Sequence, residues 1–450
     1  MVEFRVVRLP NLLTPSRSLT LGYISIILVG SLLLMLPVST ADGKGAPFLT
    51  AFFTSASSVC VTGLIVVDTE IFWSTFGKSV ILVLIQIGGL GYITAYAFLL
   101  FLLGRKLSIR EMATLKAGLN LPHFGRFKQT VTVALLVSLG FEAIGALLLL
   151  RPFYLERGGT QGIFDAIFHS VSAFNNAGFS TFSKNISSFY GNFLVVLVIS
   201  GLVIFGGIGF FVMLDIYETY ILRKKPSLTL HSNVVIKMTA LLLLIGTLCT
   251  LVFEWNNPRT LGNMPLSQKI LNAFATAVFP RTAGFHTIDY AQTTLGLMTL
   301  TILFMCVGAS PGGTGGGFKT TSLALALKST YNLFRGMSGT TFFRRKIPAR
   351  VLINAFALIF LWITILFVAT TIITIDSGFK IEDTVFECAS ALGTVGLSRG
   401  ITPLLSPLDQ LVLVVLMIAG RVGPITVGTF AFREVVSPKL HYPEEEILVG

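Results

Sequence analysis

At residues 57–64 the chain reads Ser57-Ser58-Val59-Cys60-Val61-Thr62-Gly63-Leu64, and three later segments have the same form. These segments are Ser172-Ala173-Phe174-Asn175-Asn176-Ala177-Gly178-Phe179, Val278-Phe279-Pro280-Arg281-Thr282-Ala283-Gly284-Phe285 and Ser390-Ala391-Leu392-Gly393-Thr394-Val395-Gly396-Leu397. Successive glycines are 115, 106 and 112 residues apart, and a phenylalanine stands ten positions before each of them. Such a period predicts a fourfold internal repeat, which constrains the architecture of the whole chain.

The composition is that of a membrane protein. Of the 450 residues, 53% are hydrophobic and 12% are charged, whereas soluble domains carry about 25% charged residues. Eight apolar segments approach the roughly 20 residues that cross a bilayer as a helix. They are residues 19–36, 79–103, 130–150, 193–213, 234–253, 293–307, 351–373 and 408–419. The sequence therefore predicts an all-α integral membrane protein with about eight spans.

The positive charge follows this topology. The formal net charge is +12, and basic residues cluster before the first span and after the second, fourth and sixth. Short basic loops remain in the cytoplasm, so we expect both termini to be cytoplasmic. Because the charge lies where membrane topology places it, nucleic-acid binding is disfavoured.

Each predicted repeat contains a span, a short segment, the glycine signature and a second span. The short segments are residues 47–58, 161–173, 266–279 and 381–392. A helix of about 12 residues is only about 18 Å long, which is too short for a hydrocarbon core of about 30 Å. Because lipid-exposed irregular backbone is not tolerated, we expect four re-entrant half-helices that meet at a central axis, shielded by protein.

The glycines allow two interpretations. Glycine adopts positive φ at little cost, so an extended segment that ends in glycine can turn its carbonyls towards the axis. Rings of backbone carbonyls replace the hydration shell of the ion in potassium filters, and the negative ends of four half-helices favour a cation there. Alternatively, each glycine only ends a helix as its C′ residue.

The ordered set of four glycine signatures resembles the Trk/Ktr/HKT superfamily of potassium transporters, and nearly the whole chain is most similar to the bacterial Ktr membrane subunit. The resemblance implies four pseudo-symmetric M1–pore helix–filter–M2 units around one central pore in a bacterial plasma membrane. Some plant relatives that favour sodium carry serine in the first filter, and this chain has Gly63. The implied K⁺ filter, which acts through backbone oxygens, consists of Cys60, Val61, Thr62, Gly63, Asn175, Asn176, Ala177, Gly178, Arg281, Thr282, Ala283, Gly284, Gly393, Thr394, Val395 and Gly396.

The implied division of the chain follows the repeats. A cytoplasmic segment precedes repeat 1, repeat 2 includes the cytoplasmic loop before it, and a cytoplasmic tail follows repeat 4. The boundaries are 1–17, 18–103 (repeat 1), 104–222 (repeat 2), 223–334 (repeat 3), 335–435 (repeat 4) and 436–450.

The second span of repeat 3 is interrupted by a glycine-rich run. It consists of Gly308, Ala309, Ser310, Pro311, Gly312, Gly313, Thr314, Gly315, Gly316 and Gly317. Proline removes a donor and each glycine costs about 1 kcal/mol relative to alanine, so no helix is expected through this run. A phosphate-binding loop is the rival interpretation, but Phe318 stands where that motif requires lysine.

Arg421 lies at an equivalent depth in repeat 4. An arginine inside a membrane helix is costly and by default faces a cavity. The resemblance implies that the glycine-rich run is a gate beneath the filter and that Arg421 contacts it. The alternative is that Arg421 only caps the carbonyls of a bent helix.

No paired carboxylates or nucleophile–base pairs have catalytic spacing, so we expect no enzyme. His169 and Glu387 each lie nine residues before a glycine of the repeat, and we expect them to form hydrogen bonds behind the filter. The alternative function is an alternating-access secondary cation transporter that uses glycine-broken helices. Such a transporter typically has an inverted repeat, whereas this one is parallel and fourfold.

The resemblance also implies partners. These are a second copy of the chain, with the tail at residues 442–450 at the contact, and a cytosolic RCK-type ring that binds ATP or ADP. For this chain we expect K⁺ as the transported ion, Na⁺ as a second candidate, contact with membrane lipid, and no bound nucleotide or nucleic acid.

Overall fold

The computed structural model describes residues 15–91, 127–337 and 339–423, and these residues are mostly helical. Each of the four predicted repeats contains a first helix, a short helix and a second helix. Repeat 1 has Pro15–Leu34, Phe48–Val59 and Thr75–Leu90; repeat 2 has Phe127–Arg157, Gly159–Phe174 and Phe193–Ile208 with Phe210–Ile216; repeat 3 has Leu230–Glu254, Leu266–Val278 and Leu295–Cys306 with Thr320–Phe334; repeat 4 has Ala349–Ser377, Ile381–Gly393 and Pro407–Val422. A short helix Thr69–Phe72, a π-helical turn Tyr217–Ile221 and an antiparallel hairpin of Thr341–Phe342 with Arg345–Lys346 complete the larger elements. The predictions for the two termini and the tail lie outside the described residues.

The short helices form the interior of the molecule. All four begin and end within two residues of the predicted segments. Their inward phenylalanines Phe53, Phe168 and Phe386 are fully buried, as are most of the neighbouring side chains on the same helices. The shielding that re-entrant half-helices require is therefore present.

The first helices form the outside. Four helices within the described residues are long and apolar enough to cross a membrane, namely 17–34, 134–157, Leu230–Glu254 and Ala349–Ser377. Ala349–Ser377 exposes Phe360 and Ile375 at more than 70% of their surface, which suits a helix that faces lipid. The count of eight spans stays a prediction, because the described parts of the second helices are shorter than a bilayer.

The second helices end or bend at glycines. Thr75–Leu90, Phe193–Ile208 and Pro407–Val422 end at Gly91, Gly209 and Gly423, whose φ values are 78°, 101° and 97°. At Gly209 the helix axis of repeat 2 turns by 95°. In repeat 3 the equivalent helix stops at Cys306, and residues 308–317 follow as a loop. This break leaves room for the loop inside the bundle.

Candidate functional site

Four glycines meet at the centre of the molecule, and we call Gly63, Gly178, Gly284 and Gly396 the glycine ring. A Cβ atom on Gly178 would lie 2.6 Å from the Cα of Gly284 and 2.7 Å from the carbonyl oxygen of Ala283. A Cβ on Gly284 would lie 2.6 Å from the carbonyl oxygen of Val395. In the same way a Cβ on Gly63 would collide with the carbonyl oxygen of Ala177, and a Cβ on Gly396 would collide with the carbonyl oxygen of Thr62.

The contacts of the ring run in the order of the repeats and return to the start. Each glycine packs against the carbonyl oxygen of the residue that precedes the next glycine. All four also have positive φ, between 68° and 93°. Glycine is therefore required here for two reasons: the left-handed backbone, and the close approach of a neighbouring carbonyl.

The segments before the ring are not extended, which corrects the expectation from sequence. The residue two positions before each glycine is left-handed as well, with φ of 49° at Val61, 57° at Asn176, 71° at Thr282 and 49° at Thr394. In repeats 1, 2 and 4 the next backbone N–H returns to the carbonyl five residues earlier, at 2.8 Å. This is the Schellman ending of a helix, with its C′ residue at Val61, Asn176 or Thr394. In these three repeats the alternative that the glycines themselves are the C′ residues is therefore wrong.

These helix endings orient the carbonyls. The N–H of Thr62 points back to the carbonyl oxygen of Ser57 at 2.8 Å. Because a trans peptide holds its N–H and C=O antiparallel, the carbonyl of Val61 points away from the short helix. The same geometry holds for the carbonyls of Asn176 and Thr394. The N–H groups of the next residues, Ala177 and Val395, donate to the carbonyls of Ser172 and Ser390 in the short helices.

A serine six residues before the glycine anchors the signature in three repeats. Ser57 Oγ donates to the carbonyl of Leu64 at 2.7 Å and accepts the N–H of Gly63 at 3.1 Å. Ser172 Oγ likewise donates to the carbonyl of Phe179 at 2.8 Å. Ser390 Oγ accepts the N–H of Gly396 at 3.0 Å. Repeat 3 has Val278 at this position. Sequence reasoning missed this role, although the three serines stand in register in the quoted segments.

In repeats 1, 2 and 4 the first residue of the predicted filter quartet lies at the end of the short helix, whereas Arg281 of repeat 3 follows the end of its helix at Val278 by three residues. Gly393 is the last residue of the short helix of repeat 4, and Cys60 directly follows the short helix of repeat 1. The side chain of Asn175 turns outward and donates to Glu142 Oε1 at 2.9 Å and to Gln86 Oε1 at 3.0 Å. Glu142 is a buried carboxyl within the first helix of repeat 2, and sequence reasoning missed it, although an ionisable residue in a membrane segment is a functional candidate by default.

The glycine-rich loop, residues 308–317, lies directly beneath the ring. Its N–H groups at Ser310 and Thr314 donate to the carbonyls of Gly207 at 2.9 Å and Gly206 at 3.1 Å in repeat 2. The N–H of Gly316 donates to Thr394 Oγ1 at 3.0 Å in repeat 4.

Glycine is needed within this loop because a Cβ at Gly315 would strike Thr282 Oγ1. The loop thus lies against the left-handed residues Thr282 and Thr394 of two repeats. A helix, Leu295–Cys306, precedes it, which removes the strand that a phosphate-binding loop requires.

Two cationic side chains hold the loop. Arg421 donates to the carbonyl of Thr314 in the loop and to the carbonyls of Gly88 and Gly89 in repeat 1, the last at 3.1 Å. The predicted contact of Arg421 with the loop is therefore present, and so is the alternative role of capping a bent helix. Lys319 Nζ donates to the carbonyl of Gly315 at 2.8 Å, a contact that the sequence did not suggest.

Most of the predicted filter and loop residues are buried. Fifteen of the sixteen filter residues are buried and Gly396 is partly exposed, because it borders the outer pocket. In the loop, Gly308, Ala309, Ser310, Thr314, Gly315 and Gly316 are buried, while Pro311, Gly312, Gly313, Gly317 and Arg421 are partly exposed.

A pocket of about 120 Å³ lies on the other side of the glycine ring and is lined by all four of its glycines. We call it the outer pocket. Asp68 and Ser183 also line it. Glu70 accepts from the N–H of Ser183 at 2.6 Å and pairs with Arg157 at 2.5 Å. Burial alone would raise the pKa of Glu70, but the hydrogen bonds from Ser183 and the charge of Arg157 outweigh it and hold the pKa below the ordinary value of 4.5.

Comparison with known proteins identifies the family. Residues 16–441 match the TrkH family, described as cation transport proteins. The chain belongs to the TrkH family. The predicted resemblance to the Trk/Ktr superfamily is thereby confirmed.

Two relatives align with this TrkH family chain over almost its whole length. The Ktr system potassium uptake protein B of Bacillus subtilis is 37% identical over 97% of this chain and 97% of its own length. The potassium/sodium uptake protein NtpJ of Enterococcus hirae is 35% identical over 98% of this chain and 99% of its own. The crystal structure of the potassium transporter TrkH from Vibrio parahaemolyticus superposes with a TM-score of 0.73 at 20% identity, and covers 94% of this chain and 86% of that one. This last likeness shows a shared fold.

Proposed function

We propose that the chain takes up K⁺ across the plasma membrane through a single pore on the axis of the glycine ring. The observation that carries the proposal is the closed order of the ring, in which every glycine lies beside the carbonyl oxygen of the next repeat. Backbone carbonyls arranged around an axis are suited to replace the water around a cation. The choice of K⁺ is supported by the names of the two relatives that align over nearly the whole chain. Both names include potassium, and that of the Enterococcus hirae protein also includes sodium.

Electrostatics favour a cation at the ring. The C-terminal ends of the four short helices lead directly into the four glycine segments, and each end carries about half an elementary negative charge. The outer pocket adds the carboxylate of Asp68. A cation that enters from the outside therefore meets negative potential both in the pocket and at the ring.

The glycine-rich loop and Arg421 are the proposed gate. The loop lies beneath Thr282 and Thr394, and Arg421 joins it to the second helix of repeat 1. A fixed positive charge below the ring opposes the passage of cations. Opening then requires that the loop and the guanidinium separate.

We also propose that the gate responds to a partner. The Bacillus subtilis relative is named protein B of a system, which favours an assembly of several components. We propose that this assembly is a homodimer of the chain with a cytosolic RCK-type ring that binds ATP or ADP. A ligand shifts a gate only through different affinities for its two states, so the ring must bind the open and closed forms unequally. Size-exclusion chromatography with light scattering tests the dimer, and a monomer at every concentration would overturn it.

Ion flux in liposomes that contain the purified chain tests the function. We expect K⁺ flux under a K⁺ gradient alone; a strict requirement for a Na⁺ or H⁺ gradient would instead favour alternating access. Gly63→Ser should lower the K⁺/Na⁺ flux ratio, because its side chain would meet the carbonyl oxygen of Ala177 at a φ of 92°.

Gly140→Ser is the matched control for this substitution. Gly140 has no atom within 4 Å of an added Cβ, so the same change should leave the flux ratio unaltered. An unchanged ratio in folded Gly63→Ser protein would place selectivity elsewhere.

A further inference from the structure

The residues two positions after the glycines form a second ring above the first. They are Ile65, Ser180, His286 and Ser398, and all four line the outer pocket. The two serines belong to repeats 2 and 4, which are not neighbours in the order of the glycine ring. The two serines therefore line the pocket from opposite sides of the ring.

Ser398 has its only proton committed to a buried carboxyl. Ser398 Oγ donates to Glu387 Oε1 at 2.5 Å and accepts the N–H of Gly400 at 2.8 Å. Glu387 is fully buried and also accepts from the N–H of Arg399 at 2.9 Å and from Thr402 Oγ1 at 2.8 Å. Oε1 already accepts the N–H of Arg399, which can only donate, so it acts as an acceptor towards Ser398 as well. The Ser398 proton therefore points to Glu387.

Ser180 has the same arrangement with a histidine. His169 is fully buried, and its Nδ1 lies 2.8 Å from the carbonyl oxygen of Asp165. A carbonyl only accepts, so Nδ1 carries the proton and Nε2 of the neutral ring is an acceptor. Ser180 Oγ therefore donates to Nε2, at 2.8 Å, and accepts the N–H of Phe182 at 3.0 Å. The predicted hydrogen bonds of His169 and Glu387 behind the ring are thus confirmed.

A hydroxyl oxygen has two lone pairs. In both serines one lone pair accepts a backbone N–H and the proton is held by the buried partner. Thr402 Oγ1 lies 3.2 Å from Ser398 Oγ but donates its proton to Glu387 at 2.8 Å, so one lone pair of each serine remains for the pocket. We propose that Ser180 and Ser398 form an outer subsite for a monovalent cation above the glycine ring. His169 and Glu387 are its positioning residues, because they turn each hydroxyl dipole so that its oxygen faces the ion. This inference rests on the proposed function, since it requires cations to enter through the outer pocket.

The test measures flux of K⁺ against external K⁺ concentration for the full chain in liposomes. We expect Ser180→Ala and Ser398→Ala each to raise KM about five-fold, or about 1 kcal/mol at 1.4 kcal/mol per tenfold change, with the maximal rate nearly unchanged. Ser180→Thr and Ser398→Thr keep the hydroxyl and should stay close to wild type. Ser187→Ala is the control, since the Ser187 hydroxyl donates to the carbonyl of Lys184 and lies outside the pocket.

Two further variants separate folding from ion binding. Ser398→Cys retains nearly the same shape but supplies a thiol, which is a weak acceptor, so KM should rise as in the alanine variant. Glu387→Gln should also raise KM, because the amide no longer accepts from all of its three neighbours, whereas a purely structural role would lower the amount or melting temperature of the protein without changing KM.

The outcomes are distinguishable. Unchanged KM in both Ser398→Ala and Ser398→Cys, in protein that conducts K⁺, would overturn the subsite and leave the proposed function standing. A wild-type chain that carries no K⁺ would overturn both. A raised KM in the alanine variants that threonine does not restore would assign the effect to packing and likewise overturn the subsite.

Discussion

Replacing Arg421 by alanine should open the proposed gate. The guanidinium reaches the carbonyl of Thr314 in the glycine-rich loop and the carbonyls of Gly88 and Gly89 in repeat 1. Alanine removes all three bonds together with the positive charge beneath the glycine ring. The loop then loses its connection to the second helix of repeat 1, and its closed position is stabilised less.

The size of the effect follows from one of these bonds. The bonds from Arg421 to Gly88 and Gly89 join the second helices of repeats 4 and 1. Of the three bonds, only the one to Thr314 reaches the loop. A hydrogen bond from a charged donor contributes about 1.5–3 kcal/mol. At 1.4 kcal/mol per tenfold change, its loss should shift the closed-to-open ratio by roughly 10- to 100-fold. If the closed form predominates, K⁺ flux rises by about that factor.

The assay is K⁺ flux in liposomes without any partner protein, with the K⁺/Na⁺ flux ratio measured in parallel. Arg421→Lys is the matched variant, because lysine keeps the charge but presents a single point donor instead of a planar fork. Its flux should lie between wild type and Arg421→Ala. The flux ratio should stay constant in both, since the glycine ring is untouched.

One result would refute this reasoning. Flux that falls, or that equals wild type, in an Arg421→Ala protein with an unchanged melting temperature would mean that the arginine only caps the bent helix. The loop would then be a structural element.

Three other predictions concern the loop, the outer face and the partner. Shortening residues 312–317 should raise K⁺ flux in liposomes at constant selectivity, and reduced flux from folded protein would count against a gate. Because the folded state holds the pKa of Glu70 below 4.5, its pairing with Arg157 stabilises the protein above that pH and is lost as pH falls through the lower folded value. The melting temperature of the wild type should therefore drop more steeply below about pH 4.5 than that of Glu70→Gln, and parallel curves would contradict this. Finally, ATP should increase and ADP decrease flux only when the cytosolic ring is added, and full nucleotide sensitivity of the chain alone would exclude the ring as sensor.

The sequence predicted the parts that depend on local composition. The short helices were visible because about 12 apolar residues are too few to cross a bilayer, and the glycine-rich loop because no helix survives Pro311 among so many glycines. The glycine ring was visible through its period. In each case the physical constraint lies within one short segment, so it can be read without a structure.

The parts that were missed depend on contacts between distant segments. The left-handed backbone of Val61 and Thr394 was unexpected because non-glycine residues rarely adopt it, and the Schellman bonds that hold it become evident only when the helix ending is seen. Glu142 was overlooked because its partner Asn175 lies on another element. The bend at Gly209 accommodates Pro311 and Gly312 of another repeat, which no local pattern reports.

Within the described residues the glycine-rich loop occurs once, whereas the first, short and second helices each occur four times. It touches the second helix of repeat 2, Thr282 of repeat 3 and Thr394 of repeat 4, and through Arg421 the second helix of repeat 1. A segment that contacts all four repeats leaves no room for three symmetric copies of itself. An assembly of four identical subunits would have to carry four such loops or none. A single loop of this kind, which we propose as the gate, therefore requires that the four repeats are joined in one chain and that one of them has diverged from the others.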